Sequence, residues 1–156
     1  MKYMFASDIH GSAYYCRKML DAFHQEKAER LVLLGDILYH GPRNDLPKEY
    51  APKEVIALLN EYKDKIYAVR GNCEAIDERT FYATHGHIYN QNHLPPLQKN
   101  DILIHGHTHV LKAESMDSYI LLNPGSVSIP KEGNPPTYAV LENGLFTIKD
   151  FDKNTV

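Results

Sequence analysis

Short clusters of histidine, aspartate and asparagine follow apolar stretches of this sequence. The candidate ligand side chains in these clusters are Asp8, His10, Asp36, Asn72, His85, His107 and His109. Each apolar stretch is typical of a buried strand, and in open α/β sheets ligands bind beyond the carboxyl ends of the strands. The sequence therefore predicts that carboxylate, carboxamide and imidazole groups assemble along one edge of a sheet.

The chemistry of these groups favours two adjacent divalent cations. Asp36 can bridge two cations, Asp8 and His10 can chelate one of them, and Asn72 and His85 suit the other. The mixed oxygen and nitrogen set contains no thiolate. It therefore favours Mn²⁺, Fe²⁺, Zn²⁺ or a similar ion over a structural cysteine-bound zinc.

The last cluster holds two further candidate ligands, His107 and His109. If their backbone is extended, both side chains project in the same direction and each can serve one cation. Paired cations about 3.5–4 Å apart are typical of phosphoester hydrolysis. They lower the pKa of a shared water, orient the phosphate and stabilise the attacking and leaving oxygens.

The spacing of apolar residues predicts the strands and helices that must position these residues. Strands are predicted at residues 2–6, 31–34, 66–69, 81–84, 102–104, 119–122, 137–141 and 145–149. A helix capped by Ser12 is predicted to run to about His24, and a second helix to begin at Pro52. The first half therefore forms a parallel sheet with helical crossovers. The second half is predicted to have strands joined by tight turns, including a hairpin at Asn143-Gly144.

Composition and length bound the class of protein. The 156 residues are predicted to form one domain, 1–156, with an α/β fold of two sheets packed face to face and flanked by helices. A net charge of −3 and the lack of a long basic run argue against a nucleic-acid partner. Two cysteines without metal-type spacing, and no signal peptide or transmembrane run, predict a cytoplasmic protein without a membrane partner.

The motifs resemble those of the calcineurin-like metallophosphoesterase superfamily, whose pattern is D-x-H, G-D, G-N-H-[DE], H and G-H-x-H. The matching strings here are FASDIHGS, LLGDILYHGPRN, VRGNCE, THGH, HGHTH and NPGSVSIPK. They are more narrowly similar to a small bacterial phosphodiesterase branch of that superfamily. The resemblance covers nearly the whole chain and supports the fold of two sheets flanked by helices.

The resemblance also implies a site and an activity. One metal site would comprise Asp8, His10, Asp36 and His109, and the other Asp36, Asn72, His85 and His107. The expected protein is a phosphodiesterase that uses a metal-bridging hydroxide, with Mn²⁺ as the expected cation and Zn²⁺, Fe²⁺ or Ni²⁺ as alternatives. Catalytic roles are expected for Asp36, Asn72 and His107. A small phosphodiester is the expected substrate.

Two departures from the family pattern affect the expected chemistry. Cys73 stands where the superfamily usually has a histidine, and a thiol is a poorer proton donor at neutral pH, which predicts leaving groups that need little protonation, such as aryl phosphodiesters. The alternative is that the Cys73 side chain only packs against its neighbours.

The stretch from Asn72 to His85 is also shorter than in relatives. This results either from a deletion or from a mobile segment that is absent from the sequence, and we favour the second explanation.

The substrate-binding residues and the class of activity have alternatives. Arg43 and Asn44, in the loop after Asp36, are candidate substrate contacts together with Cys73, and Arg43 can pair with a phosphate oxygen. The rival functions are a non-catalytic metal-binding scaffold, like a retromer subunit of the same fold, and a phosphomonoesterase or nuclease on the same site. A complete set of ligand positions favours catalysis. Exposed strand edges and a tyrosine-rich surface are compatible with a homo-oligomer.

Overall fold

The computed structural model describes residues 1–69, 72–76 and 79–156, with the backbone alone described for 72–76 and 79. Its elements, in chain order, are β1 (Tyr3–Ala6), α1 (Ala13–Gln25), β2 (Arg30–Leu33), α2 (Pro52–Asn60), β3 (Ile66–Ala68), β4 (Asn72–Ile76), β5 (Arg79–Thr84), β6 (Asp101–His105), β7 (Lys112–Ser115), β8 (Tyr119–Asn123), β9 (Thr137–Glu142) and β10 (Leu145–Asp150). The expected α/β architecture of two sheets flanked by helices is confirmed.

The first sheet has the strand order β10-β9-β1-β2-β3, with β1, β2 and β3 parallel and β9 antiparallel to β1. Alternation along β1 explains the layers, because successive side chains of a strand point to opposite faces. Met4 and Ala6 pack with the helices, whereas Phe5 packs with residues of the second sheet. The first sheet therefore lies between the two helices and the second sheet.

The second sheet has the order β4-β5-β6-β8-β7. The strands β5, β6 and β8 are parallel neighbours, and the flanking strands β4 and β7 are antiparallel to theirs. The prediction of tight turns throughout the second half is therefore wrong. A parallel pair needs a long crossover, and the connections from β5 to β6 and from β6 to β8 carry the remaining histidine motifs.

Both predicted helices form where their local signals indicate. The Ser12 side chain accepts a hydrogen bond from the Tyr15 backbone N–H at the start of α1, and Pro52 is the first residue of α2. The burial of α2 is weaker than its periodicity suggests, since Val55 is buried while Ile56 stays 44% exposed. The short helix α2 thus contributes one edge of its surface to the core.

The turn chemistry of the last hairpin is confirmed. Asn143 and Gly144 both have positive φ, 52° and 76°, and they join β9 to β10 in a two-residue turn. Two other strands were not predicted. The strand β7 is mostly exposed and polar, so it lacks an apolar signal, and β4 coincides with the motif that contains Asn72.

Candidate metal centre

The candidate ligands meet at the carboxyl ends of parallel strands from both sheets. Asp8 and His10 follow β1, Asp36 follows β2, and His85 follows β5. The loop after β6 supplies His107 and His109. Stacking the two sheets therefore joins two edges that are far apart in sequence into one cluster, as the sequence predicts.

The described side chains form two groups. Within each group, the candidate ligand atoms lie within 4.8 Å of one another. The first ligand group consists of Asp8, His10 and His109, and all three residues are buried. Within it, the Oδ1 atom of Asp8 lies 3.3 Å from Nε2 of His109 and 3.6 Å from Nε2 of His10. The group is therefore compact and shielded from solvent.

The second ligand group consists of Asp36, His85 and His107. Oδ2 of Asp36 lies 3.4 Å from Nε2 of His85, and Nδ1 of His107 lies 3.2 Å from the same nitrogen. The same Asp36 oxygen is 3.8 Å from Nε2 of His10. Asp36 therefore lies within reach of both groups, which is the position that a bridging carboxylate requires.

The backbone at these positions adopts an uncommon conformation. Five of the candidate ligands have φ between 47° and 68°: Asp8, His10, Asp36, His107 and His109. Left-handed φ values are uncommon for residues other than glycine, and each costs of order 1–3 kcal/mol unless the surrounding structure enforces it. His107 and His109 are thus not in the extended conformation that the sequence analysis assumed, and they turn into different ligand groups.

Carbonyl groups fix the orientation of three imidazoles. The Nδ1–H groups of His10, His109 and His85 donate to the carbonyls of Tyr39, Ile129 and Leu34, at 2.6, 3.0 and 2.9 Å. In a neutral imidazole with a protonated Nδ1, the Nε2 atom carries a lone pair. These contacts therefore present three Nε2 lone pairs to the ligand groups, as outer hydrogen bonds do around metal-bound histidines.

The first ligand group fits a cation. The Nε2 atoms of His10 and His109 lie 3.1 Å apart, both facing Asp8 Oδ1. That buried oxygen has no hydrogen-bond partner among the residues described. Three lone-pair acceptors that converge in a buried space repel one another unless a cation or a proton lies between them. The donor set is the one that the sequence predicts for a divalent ion of intermediate softness.

The shifts in pKa of the first ligand group show that its electrostatic potential is negative. Burial acts to raise the pKa of Asp8, but the facing imidazoles of His10 and His109 outweigh it and lower that pKa well below the ordinary range. Burial acts to lower the pKa of His10, but Asp8 and the Tyr39 carbonyl raise it overall. The buried carboxylate thus stays charged and stabilises positive charge beside it.

In the second group, the facing imidazole of His85 lowers the pKa of Asp36 against a smaller opposing effect of burial. Burial acts to lower the pKa of His85, yet Asp36 and the charge of Asp8 raise it overall. The pKa of His107 is lowered by burial and by the charge of His85. A neutral His107 can offer a nitrogen lone pair to a cation.

A loop after β8 supports Asp8 from behind. The hydroxyl groups of Ser126 and Ser128 both donate to the Asp8 carbonyl, at 3.0 Å each. Both serines belong to the NPGSVSIPK string of the family resemblance, from which a supporting turn at Gly125-Ser126 without a catalytic role is expected. Two donors on one carbonyl help to hold Asp8 in its left-handed conformation.

Two glycines allow the strand ends to approach closely. A Cβ on Gly106 would lie 1.8 Å from Ser7 Oγ and 2.7 Å from Asp8 Oδ2. A Cβ on Gly35, whose φ is 109°, would lie 2.6 Å from Nδ1 of His85. Each glycine therefore makes room for a different ligand group, Gly106 for the first and Gly35 for the second.

A cavity of about 450 Å³ opens beside the ligand groups. Its walls include the predicted substrate contacts Arg43 and Asn44, together with His10, His107 and His109. The structure adds Lys131, which the sequence analysis did not select. The predicted residues of the Asp36 loop thus lie where a substrate would meet the candidate metal ligands.

Other predicted residues lie outside what the structure describes or outside the ligand groups. The side chains of Asn72 and Cys73 are outside the described part, so their predicted roles stay predictions. The His87 ring lies 5.6 Å from the His85 ring as a neighbour. His105 is buried and directs its Nδ1 towards the Gly106 carbonyl at 2.9 Å.

Comparisons with known proteins agree with this geometry. Residues 1–144 match the family model of the calcineurin-like phosphoesterase superfamily domain. The chain is 44% identical over 167 residues to phosphodiesterase YfcE of Escherichia coli strain K12, which covers 95% of this chain and 91% of the relative. A phosphodiesterase from Methanocaldococcus jannaschii is 28% identical over 145 residues, which covers 80% of this chain and 83% of the relative.

A solved structure of YfcE, described as a phosphoesterase from E. coli, superposes with a TM-score of 0.96 and 39% identity. The superposition covers 100% of this chain and 97% of that one. This protein belongs to the calcineurin-like phosphoesterase superfamily, and the predicted family and enzyme class are confirmed. Divalent metal ions are the cofactors that this family implies, and the two ligand groups provide candidate sites for them.

The alignment with the E. coli relative also bears on the short stretch after Asn72. The aligned 167 residues exceed the 156 residues of this whole chain, so the relative contains residues without a counterpart here. This agrees with a chain that is shorter than its E. coli relative. Neither helix in the described parts of the chain has the length and apolar composition that a membrane span needs.

Proposed function

We propose that this protein is a phosphodiesterase that binds two divalent metal ions and hydrolyses a small phosphodiester. The proposed ligands are Asp8, His10, Asp36, Asn72, His85, His107 and His109. The observation that carries the proposal is the position of Asp36, whose carboxylate reaches both ligand groups. The similarity to phosphodiesterase YfcE of E. coli supports a diester rather than a monoester as the substrate.

The proposed cations supply charge stabilisation and an activated water, which are their usual contributions to phosphoryl transfer. Mn²⁺ is the first candidate, and Zn²⁺, Fe²⁺ and Ni²⁺ remain alternatives because all accept imidazole nitrogen and carboxylate oxygen. The protein residues place the ligand atoms. Asp36 is the proposed bridge, and Asn72, His85 and His107 are the proposed ligands that complete the second site.

Arg43 and Asn44 are proposed to orient the substrate. Both line the cavity beside His10 and His107, and the Asn44 side chain donates to the His40 carbonyl at 2.8 Å. That contact fixes the turn that carries Arg43. A guanidinium in this position can pair with a non-bridging phosphate oxygen through two hydrogen bonds.

The first experiment compares bis-p-nitrophenyl phosphate with p-nitrophenyl phosphate, using metal-stripped protein with and without Mn²⁺. We expect metal-dependent cleavage of the diester in preference to the monoester. Asp36→Asn removes the proposed bridge and is expected to reduce turnover by at least about a hundredfold, since even residues that only orient metal ligands affect activity 10–100-fold. Asp117→Asn, an exposed aspartate outside the ligand groups, is the matched control.

The outcomes separate the rival functions. No turnover of either ester at full metal occupancy would contradict the proposal and favour a metal-binding scaffold. Preferential cleavage of the monoester would favour a phosphomonoesterase on the same site. Loading with Zn²⁺, Fe²⁺ and Ni²⁺ in parallel shows which cation supports the greatest turnover.

A further inference from the structure

Two cationic side chains, Arg43 and Lys131, line the cavity beside the ligand groups. We propose that together they bind a second anionic group of the substrate. The preferred phosphodiester would then carry a carboxylate or a phosphate on the ester arm that remains after the leaving group departs. This inference rests on the proposed function and narrows its substrate class.

The size of the cavity exceeds what a phosphate group needs. Its volume of about 450 Å³ falls within the range of about 300–1,000 Å³ that is usual for sites of small organic ligands. The ester arm of a substrate must therefore occupy part of it. Among the described residues, the lining there includes Gly41, Pro42, Arg43, Asn44 and Lys131, and none of them but the histidines carries an aromatic ring. Recognition by charge suits this lining better than stacking on an aryl group.

Neither cation has a partner within the described part of the chain. Arg43 and Lys131 are exposed and have no ion pair or side-chain hydrogen bond there. Elsewhere, the Arg17 guanidinium contacts both Glu49 and Glu54. The cavity carboxylate, Asp36, belongs to the ligand groups. The two cations are therefore available to an anionic ligand.

The backbone of each cation is nevertheless held in place. The Lys131 N–H donates to the His109 carbonyl at 3.1 Å, and the Lys131 carbonyl accepts the Asn134 side-chain amide at 2.9 Å. Arg43, which also lines the cavity, lies in a turn that the Asn44 side-chain amide closes by donating to the His40 carbonyl. A fixed backbone with a free, long cationic side chain suits the capture of an anion next to the first ligand group.

The test uses three diesters that share a p-nitrophenol leaving group and differ in the other arm, which is propyl, 2-carboxyethyl or 2-phosphonooxyethyl. We expect KM to be at least about fivefold lower for the anionic arms, within the range of exposed ion pairs. Lys131→Gln should reduce that difference through KM, with kcat on the propyl ester retained. Arg43→Gln should raise KM for all three esters, because Arg43 is also proposed to orient the phosphate. Lys131→Arg should restore the difference, and Lys63→Gln, another exposed lysine, should not change it.

A binding measurement tests the inference without turnover. In the Mn²⁺-loaded protein, 2-carboxyethylphosphonate should slow acetylation of Lys131 by acetic anhydride at least about threefold more than propylphosphonate does, with Lys63 as the internal reference. Equal protection by both compounds would overturn the inference whether or not the esters are cleaved.

The kinetic outcomes are equally distinct. Cleavage of the propyl ester with no preference for either anionic arm would overturn the inference and leave the proposed function intact. Loss of all cleavage at full metal occupancy, with Lys131 still protected, would contradict the proposed function alone. A lower KM for the carboxylate or for the phosphate arm identifies which anion the two cations prefer.

Discussion

The two ligand groups differ in how firmly the protein encloses them. The side chains of Asp8, His10 and His109 are at most 4% exposed, whereas the Asp36 side chain is 41% exposed. Both imidazoles of the first group are anchored by backbone carbonyls through Nδ1. In the second group, the Nδ1 atom of His107 instead faces the His85 Nε2 atom.

This difference has a physical consequence for metal binding. Pre-orientation by outer hydrogen bonds raises metal affinity, and a buried site limits the access of water and chelators. The second group faces the cavity, where a substrate and a cation can both exchange. If both groups bind cations as proposed, we expect the first group to hold its cation more tightly than the second.

The largest expected effects come from the two glycines that make room for the groups. Gly106→Ala places a methyl group against Ser7 and Asp8, and Gly35→Ala places one against His85. Each variant should bind one Mn²⁺ per chain instead of two and lose at least about a hundredfold in diester turnover. We expect each to lower the free energy of unfolding by about 1–3 kcal/mol. Metal content by mass spectrometry and thermal unfolding measure both effects.

The controls for this pair use the same chain. Gly144→Ala, in the β9–β10 turn, has φ 76° but nothing within 4 Å of the added Cβ, so it reports backbone strain alone. If Gly106→Ala does not fold, Ser7→Ala combined with it removes the nearest clash. Full metal content in both single variants would contradict the separation into two groups.

A smaller effect is expected when chelator is added stepwise to the Mn²⁺-loaded protein. The second group should release its cation first, at a chelator concentration about tenfold lower than the first group, a difference of about 1.4 kcal/mol. His107→Ala should remove the weak step and His109→Ala the tight one. Loss of both cations in a single step, unchanged in the two variants, would show that burial does not distinguish the groups.

The smallest expected effect is on the free energy of unfolding at low pH. Glu26 is the residue to test, because it lies outside the ligand groups and its protonation is distinct from theirs. Burial acts to raise the pKa of Glu26, but hydrogen bonds from Lys149, Lys2 and Tyr138 lower it overall. Its stabilising contribution is therefore present above the ordinary carboxyl pKa of 4.5 and is lost as the pH falls through the lowered value.

We expect Glu26→Gln to reduce the free energy of unfolding by about 1 kcal/mol at neutral pH and by less under acid. Urea unfolding of metal-free protein at several pH values measures this. A constant difference between the two proteins across that range would contradict the assignment to Glu26.

Local signals predicted much of the fold. The strand runs of the first half, the Ser12 cap, Pro52 at the start of α2 and the Asn143-Gly144 turn each depend on neighbouring residues, so periodicity and turn chemistry locate them. The strand β7 was missed because a polar edge strand has no apolar alternation. The order of β5, β6 and β8 was missed because parallel pairing depends on long crossovers.

The sequence by itself determined the residue types of the candidate site, because the motifs at the ends of apolar runs specify a mixed imidazole and carboxylate set. Only the tertiary structure decided which ligands meet, since the partition of His107 and His109 depends on left-handed backbone and on the stacking of two sheets. It also brought Lys131, Ser126 and Ser128 to the site from the loop after β8. That loop lies far from the other motifs in sequence, and hydrogen bonds to Asp8 and His109 hold it beside them.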